Sequence, residues 1–332
     1  MSDSAFDVLG IGNAIVDVLV QTEDKFLTDN NLSKGTMALV SADEQRALYD
    51  KSGQAIESSG GSAANTLAGI AALGGRAAFA GKVKDDQLGR VFQHDIRAAG
   101  VTYTTSTATD GDPTATCLVL ITPDGERTMQ TYLGACVTFA PTDLDLEQLQ
   151  GASVTYLEGY LWDPDAAREA FFKAAEAAHA AGRKVALSLS DPFCVDRHRD
   201  GFRDFIAEHV DILFANEDEI MSLFPDQGQS FDDAAAAIQG KVEIAALTRS
   251  EKGSVVVTAN DMISVPAAKV EQVIDSTGAG DAYAAGFLAA YTQGHELKAA
   301  ATLGGLMAAL IIQQIGARPT ASVQHLLSDI VN

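Results

Sequence analysis

Two rhythms of apolar positions run through the chain. Phe6–Ile11 reads as a buried strand and residues 14–22, rich in Val and Leu, as a second, with Gly12-Asn13 as the turn between them. Residues 41–57 mix charged and apolar positions at helical spacing, Ser58-Ser59-Gly60-Gly61-Ser62 interrupts them, and Ala63-Ala64-Asn65 opens another helix. A strand at 77–80 and an amphipathic helix at 86–99, closed by Gly100, follow. Then the helical rhythm lapses. Residues 101–107, 114–122 and 126–133 are Thr- and Val-rich β segments, the last two joined by the turn Pro123-Asp124-Gly125. After Leu133 the alternation resumes: strand 154–157, helix 164–181 between the expected caps Asp163 and Gly182, strand 185–189, helix 197–208, strand 212–214, and further pairs to the end.

Strand–helix alternation with short connections predicts an α/β fold with a doubly wound, mostly parallel central sheet flanked by helices. The run of strands without helices predicts a small antiparallel β lid standing off that body and joined by the strand near Asp17. The expected division is a core of residues 1–16, 41–100 and 134–332 and a lid of 17–40 and 101–133. Ligands of such sheets bind beyond the carboxyl ends of the strands.

Composition narrows the chemistry. The 332 residues carry 45 acidic and 23 basic side chains, a net charge of -22, which opposes nucleic acid and anionic membrane surfaces. A phosphate-bearing ligand must therefore be held by local N–H groups or a metal. Cys117, Cys136 and Cys194 have no C-x-x-C spacing, and Met1-Ser2-Asp3-Ser4 has neither a basic nor an apolar leader pattern, so a reduced, cytoplasmic protein is expected. The near-apolar run 299–312 is too short to span a bilayer and reads as a buried helix.

The densest candidate chemistry lies in Asp275-Ser276-Thr277-Gly278-Ala279-Gly280-Asp281, which leads into a small-residue apolar helix. Such a start leaves the N–H groups of Gly278, Ala279 and Gly280 outward, an anion cradle, with Asp281 in the first turn as a carboxylate base. The alternative is a Gly-rich turn with Asp281 as a cap. Gly60-Gly61 with Asn65 one turn later either meets a polar ligand or braces its own loop. Asn216 and Glu219, three apart after a strand end, either hold hydrated Mg²⁺ or form an acidic helix start. The turn from Thr248 to Gly253 is placed to border a nucleotide phosphate. Other classes lack parts: there is no G-x-x-x-x-G-K-[ST], no H-x-x-x-H and no G-x-S-x-G, and Ile15 spoils the dinucleotide fingerprint begun by Gly10 and Gly12.

Together, Gly60-Gly61-Ser62-Ala63-Ala64-Asn65, Asn216-x-x-Glu219 and 275–281 resemble the signatures of the ribokinase-like (PfkB) carbohydrate and nucleoside kinases, in order and over essentially the whole chain. Segments 12–17, 187–193 and 210–217 are similar to those of adenosine kinases within it. The resemblance implies ATP-dependent phosphoryl transfer to a nucleoside 5'-hydroxyl, most simply adenosine, with Mg²⁺, ATP and, in many members, K⁺. It implies that Asp281 is the base and that Asn13, Asp17, Gly61 and Asn65 hold the ribose. Met129, Thr131 and Leu133 on the lid, with Phe193 on the core, would flank the base. Asn216, Thr248, Gly253, Gly278 and Gly280 would meet ATP, Glu219 would bind Mg²⁺ through water, and Asp275, Thr277 and residues 311–320 would supply the K⁺ site, largely through backbone carbonyls. Arg127 would reach the site only on lid closure, and the enzyme would work as a monomer or weak homodimer. Ser250 stands where the family's turn offers glycine, and aromatics Tyr160 and Trp162 fall near the purine in no fixed register. A kinase of free ribose, fructose, inosine or guanosine is the rival reading, and a non-catalytic ligand sensor on the same fold is a third.

Overall fold

A computed structural model describes residues 4–228 and 230–330. The first three residues of the expected leaderless start lie outside them. With strands numbered along the chain, the central sheet has nine in the order β14 (Met262–Val265), β13 (Ser254–Val257), β12 (Ile244–Thr248), β11 (Ile212–Asn216), β10 (Lys184–Ser188), β9 (Ala152–Glu158), β1 (Phe6–Ile11), β5 (Ala77–Ala80) and β6 (Thr102–Tyr103). Neighbours from β12 to β6 are parallel; β13 and β14 add an antiparallel edge.

The sheet is covered on both faces because its strands are apolar at successive positions. Val8 packs into one cluster with Leu67, Phe92 and Phe287, while Leu9 and Ile11 enter the other with Phe171, Phe205 and Leu213. Each such side chain contributes roughly 1.5–3 kcal/mol through burial. Helices Ser62–Ala72 and Ala279–Thr292 pack against one another on the first face. Gly69 meets Ala285 there so closely that a side chain would collide.

The smaller sheet has five strands, in the order β3 (Met37–Leu39), β8 (Arg127–Tyr132), β7 (Ala115–Ile121), β2 (Ile15–Gln21) and β4 (Ala55–Gly60). It is mixed rather than antiparallel, since β2 runs parallel to β7 and β3 to β8. Three further expectations are corrected. Residues 101–107 give only β6, which lies on the central sheet's edge because it pairs with β5. The helix expected over 41–57 stops at Tyr49, after a capping box between Ser41 and Glu44, and β4 follows as the smaller sheet's edge. Asp163 is not a cap: Pro164 takes that position, and Asp163 instead pairs with Arg197 and His198. Gly182 does follow its helix with a positive φ of 69°.

Val18, Val20, Leu118 and Leu120 face the helices Asp24–Asp29 and Ala42–Tyr49, where Leu27 and Leu48 complete a separate small core. The three cysteines are buried and unpaired. No helix among the described residues is long and apolar enough to cross a membrane.

Candidate active site

Parallel strands end where the candidate residues begin. Asn13 follows β1, Glu158 ends β9, Asn216 ends β11 and Thr248 ends β12. Two helix starts converge on the same place. Gly61 is the N-cap of Ser62–Ala72 with φ +97°, and a Cβ there would sit 2.2 Å from the Asn13 carbonyl oxygen. Gly278 caps Ala279–Thr292 with φ +77°, and a Cβ would fall 2.4 Å from that of Ala317. Only glycine permits both the left-handed backbone and the close approach.

Asp281, half-buried in the first turn, is clasped from the facing helix. The Ser62 hydroxyl donates to Oδ1 at 2.6 Å and the Asn65 amide to Oδ2 at 3.2 Å. Burial nevertheless pushes its carboxyl up to about 6, against these hydrogen bonds and the nearby Arg318 charge. Asp17 on β2 is likewise pushed to about 6 by burial, opposed by Arg318 and Arg127. A third carboxylate lies deeper. Glu158, 1% exposed, accepts from the backbone N–H and the amide of Asn13 (3.3 and 2.9 Å) and from the Ala63 N–H (2.8 Å). It ties the β1–β2 turn to the helix start, and burial raises it to about 7.

The Gly278 and Gly280 N–H groups form no hydrogen bond among the described residues. Ala279 differs from the expectation, because its N–H already donates to the Ser276 carbonyl at 3.2 Å. A side chain at Gly280 would meet nothing, so glycine there keeps the space over the helix end clear. Asn216 and Glu219 form a reciprocal capping box, the carboxylate accepting from the Asn216 N–H (3.0 Å) and amide (2.6 Å), and Glu219 is pushed to about 7 by burial. Beside it the turn after Thr248 is braced by Arg249, which bonds Glu217 at 3.1 Å and stacks 3.9 Å from the Phe231 ring centre. Gly253 has φ +85°, and Ser250 holds the left-handed φ of +50° that its glycine counterpart would take without strain.

Asp275 is fully committed: its carboxylate accepts from Thr277 N–H and Gly316 N–H, both at 3.0 Å, and pairs with Arg127. Arg127, expected to reach in only on lid closure, is thus already docked on the loop before the cradle. The lid presents two rungs to the cleft. Ser58, Asp17, Cys117, Thr131 and Leu39 lie side by side, as do Ile56, Leu19, Val119, Met129 and Met37. Paired residues share a face, and so do positions two apart. Met129, Thr131 and Asp17 therefore do belong to one surface, with Leu133 two further on. Ile56, Leu39 and Met37 extend it and remain 66%, 55% and 42% exposed. Phe193, on the core side, is 73% exposed. The aromatic register resolves: Trp162 is buried against Phe202, whereas Tyr160 lies in the field of Asp191, Glu219, Asp281 and Glu158.

Sequence reasoning passed over Ser62, Glu158, Arg318, Leu19, Met37, Leu39 and Ile56. Ser62 sat inside a signature already quoted, and Leu19 two positions from Asp17 on a strand. Arg318, in irregular chain after helix Leu297–Ile311, fell within the stretch 311–320 that the resemblance assigned to K⁺, and nothing in the sequence singled out its side chain.

The family model for pfkB family carbohydrate kinases matches residues 35–324. The structure of adenosine kinase from Sinorhizobium meliloti is 49% identical, with a TM-score of 0.91 over 98% of this chain and 99% of that one. A probable sugar kinase from Rhizobium etli is 47% identical, with a TM-score of 0.92 over 98% of each chain. Adenosine kinase of Saccharomyces cerevisiae is 28% identical and spans 92% of this chain and 94% of its own.

Proposed function

Because the chain belongs to the pfkB carbohydrate kinase family and is an ATP-dependent kinase, we propose that its acceptor is a nucleoside, adenosine foremost, phosphorylated at the 5'-hydroxyl. The observation that carries the acceptor choice is the apolar lid face. Leu19, Met37, Leu39, Ile56 and Met129 offer a nucleobase a broad hydrophobic surface, whereas a bare sugar asks for hydrogen-bonding groups. Asp17, in line with this face, and Asn65 would take the ribose hydroxyls, and Asn13 and Gly61 would support them through Glu158 and the tight turn contact.

In the reaction, the acceptor oxygen forms a bond to the γ-phosphorus of ATP as the bond from that phosphorus to the β-phosphate bridging oxygen breaks, and ADP leaves. The hydroxyl proton passes to Asp281. Transfer of this kind needs alignment and charge stabilisation more than covalent help. The Gly278 and Gly280 N–H groups would receive the charge of the moving group, and the lid would keep water out. Asn216, Thr248 and Gly253 would border the nucleotide.

Glu219 fits Mg²⁺ held through water: it is a lone buried carboxylate with its inner lone pairs spent on a cap, and Mg²⁺ keeps much of its hydration. When bound, the ion would neutralise charge on the donor phosphates. The Asp275 carboxylate is taken by Arg127 and two N–H groups, so K⁺ near Asp275 and Thr277 would be held by backbone carbonyls, and no step is assigned to that ion. The setting proposed is a cytoplasmic monomer or weak homodimer.

The test is ADP release with ATP and a panel of nucleosides and free sugars. Adenosine should give the highest kcat/KM. Ribose or fructose outrunning every nucleoside would refute the acceptor assignment while leaving the kinase chemistry intact.

A further inference from the structure

We propose that Arg318 is a positioning residue for proton transfer: its guanidinium fixes the Asn65 amide in the orientation that donates to Asp281, and it supplies positive charge to Asp281 and, together with Arg127, to Asp17. The proposal rests on Asp281 being the proton acceptor.

The orientation follows from hydrogen-bond chemistry. Arg318 Nε lies 2.9 Å from Asn65 Oδ1, and a guanidinium can only donate. The amide must therefore turn its oxygen to Arg318 and its NH₂ to Asp281 Oδ2, at 3.2 Å. The flipped amide would set donor against donor on one side and oxygen against carboxylate on the other. An ionised Asp281 favours the same orientation, but once it takes the proton it can donate as well as accept, and of these contacts only the one to Arg318 then still holds the amide. The arginine is itself held, since Nη1 donates to Ser59 Oγ at 2.5 Å while the Ser59 N–H donates to Asp95 at 3.1 Å, a clasp onto β4.

The charge argument is separate. Arg318 Nη2 is fully covered and bonded to nothing among the described residues, and the guanidinium's hydrogen bonds go to the Asn65 amide and the Ser59 hydroxyl, not to a carboxylate. Its charge acts instead across the site, on Asp17, Asp95 and Asp281. The groups facing Asp281 are Ser62 and Asn65 from its partner helix, Asp17 from β2, Tyr156 and Glu158 from β9, Tyr160 beyond it, and Glu219 from the next helix. All are neutral or acidic. Burial pulls Arg318 down to about 10, which leaves it charged at neutral pH, and it opposes the burial that drives both aspartates up.

The test measures kcat and KM for adenosine with saturating ATP and Mg²⁺ from pH 5 to 9 for wild type, Arg318→Gln, Arg318→Lys and Asp281→Asn, with folding checked by circular dichroism. In Arg318→Gln the acid limb should move up by about one pH unit, as expected for loss of one neighbouring charge, with kcat at pH 7 down roughly tenfold and partly regained at pH 8.5. Arg318→Lys keeps the charge and loses the two-point clasp, so its limb should stay near the wild-type position while kcat stays low at every pH. An unmoved limb in Arg318→Gln overturns the proposal. So does a rise in KM alone, which would make Arg318 an acceptor contact, or loss of folded protein in both variants, which would make it a structural brace. If Asp281→Asn keeps turnover with the wild-type profile, the base assignment itself fails; if that variant is dead and only the Arg318 limb fails to move, this inference alone falls.

Discussion

The core wall that carries Asp281 and the smaller sheet's face that carries Met129 are built on different terms. On the core side the polar groups hold one another: Asp281 is bonded by Ser62 and Asn65, Asn65 by Arg318, and Glu158 by Asn13 and the Ala63 N–H. On the lid side Ile56, Leu39 and Met37 are exposed hydrocarbon held in register only by their backbones. A network of directional bonds fixes atoms to tenths of an ångström, which reaction geometry requires; an apolar plate gains by area and accepts a range of shapes. On the proposed reading the first wall would decide what reaction occurs, and the second which molecule undergoes it.

The sharpest way to break this division is Asp281→Asn, which should lower kcat by ~100- to 10,000-fold, the usual worth of a positioned base, while calorimetry finds adenosine still bound. Full turnover in that variant would remove the core wall's claim to the chemistry. Next, Leu39→Asp should cost ~10- to 200-fold in kcat/KM for adenosine, mostly through KM, and leave any activity on free ribose unchanged. Equal losses on both acceptors would mean that the lid does not select.

Acidity separates the walls again. Asp281 must be ionised to accept a proton, so kcat/KM should fall about tenfold per pH unit below about 6. The sign for stability is opposite. A carboxyl raised by folding favours the protonated protein, so this contribution is full below the unfolded value of 3.8 and is lost as pH rises through about 6. A thermal melt that gained stability from Asp281 over that interval, judged against Asp281→Asn, would contradict the burial argument. The smallest effect belongs to the lid alone: Met37→Ala, which trims one half-exposed side chain, should raise KM for adenosine by about threefold with kcat unchanged.

Most of the frame is legible in the sequence because it rests on period. β1, β5, β7 and β8 are apolar or β-branched runs between turn residues, and the signature glycines mark backbone that other residues cannot adopt. The failures have local causes. β4 contains Glu57-Ser58-Ser59 and presents too little apolar alternation to oppose a helix; it is a strand because β2 lies beside it. The segment 101–107 has β composition, but composition does not name the sheet that takes it. At the site, Asp281 and Asn65 announce themselves through their neighbours in sequence, while Arg318 lies 253 positions from Asn65 and meets it only after the chain has folded. Glu158 shares that fate, its role being set by the turn and helix start it joins.

The lid's outer face, where Val18, Val20, Leu118 and Leu120 close over Leu27 and Leu48, has a further consequence. A sheet with a private oil layer behind it resists bending as a stiff plate does. The spacing of its exposed rows is therefore set by its own packing, before any visitor comes.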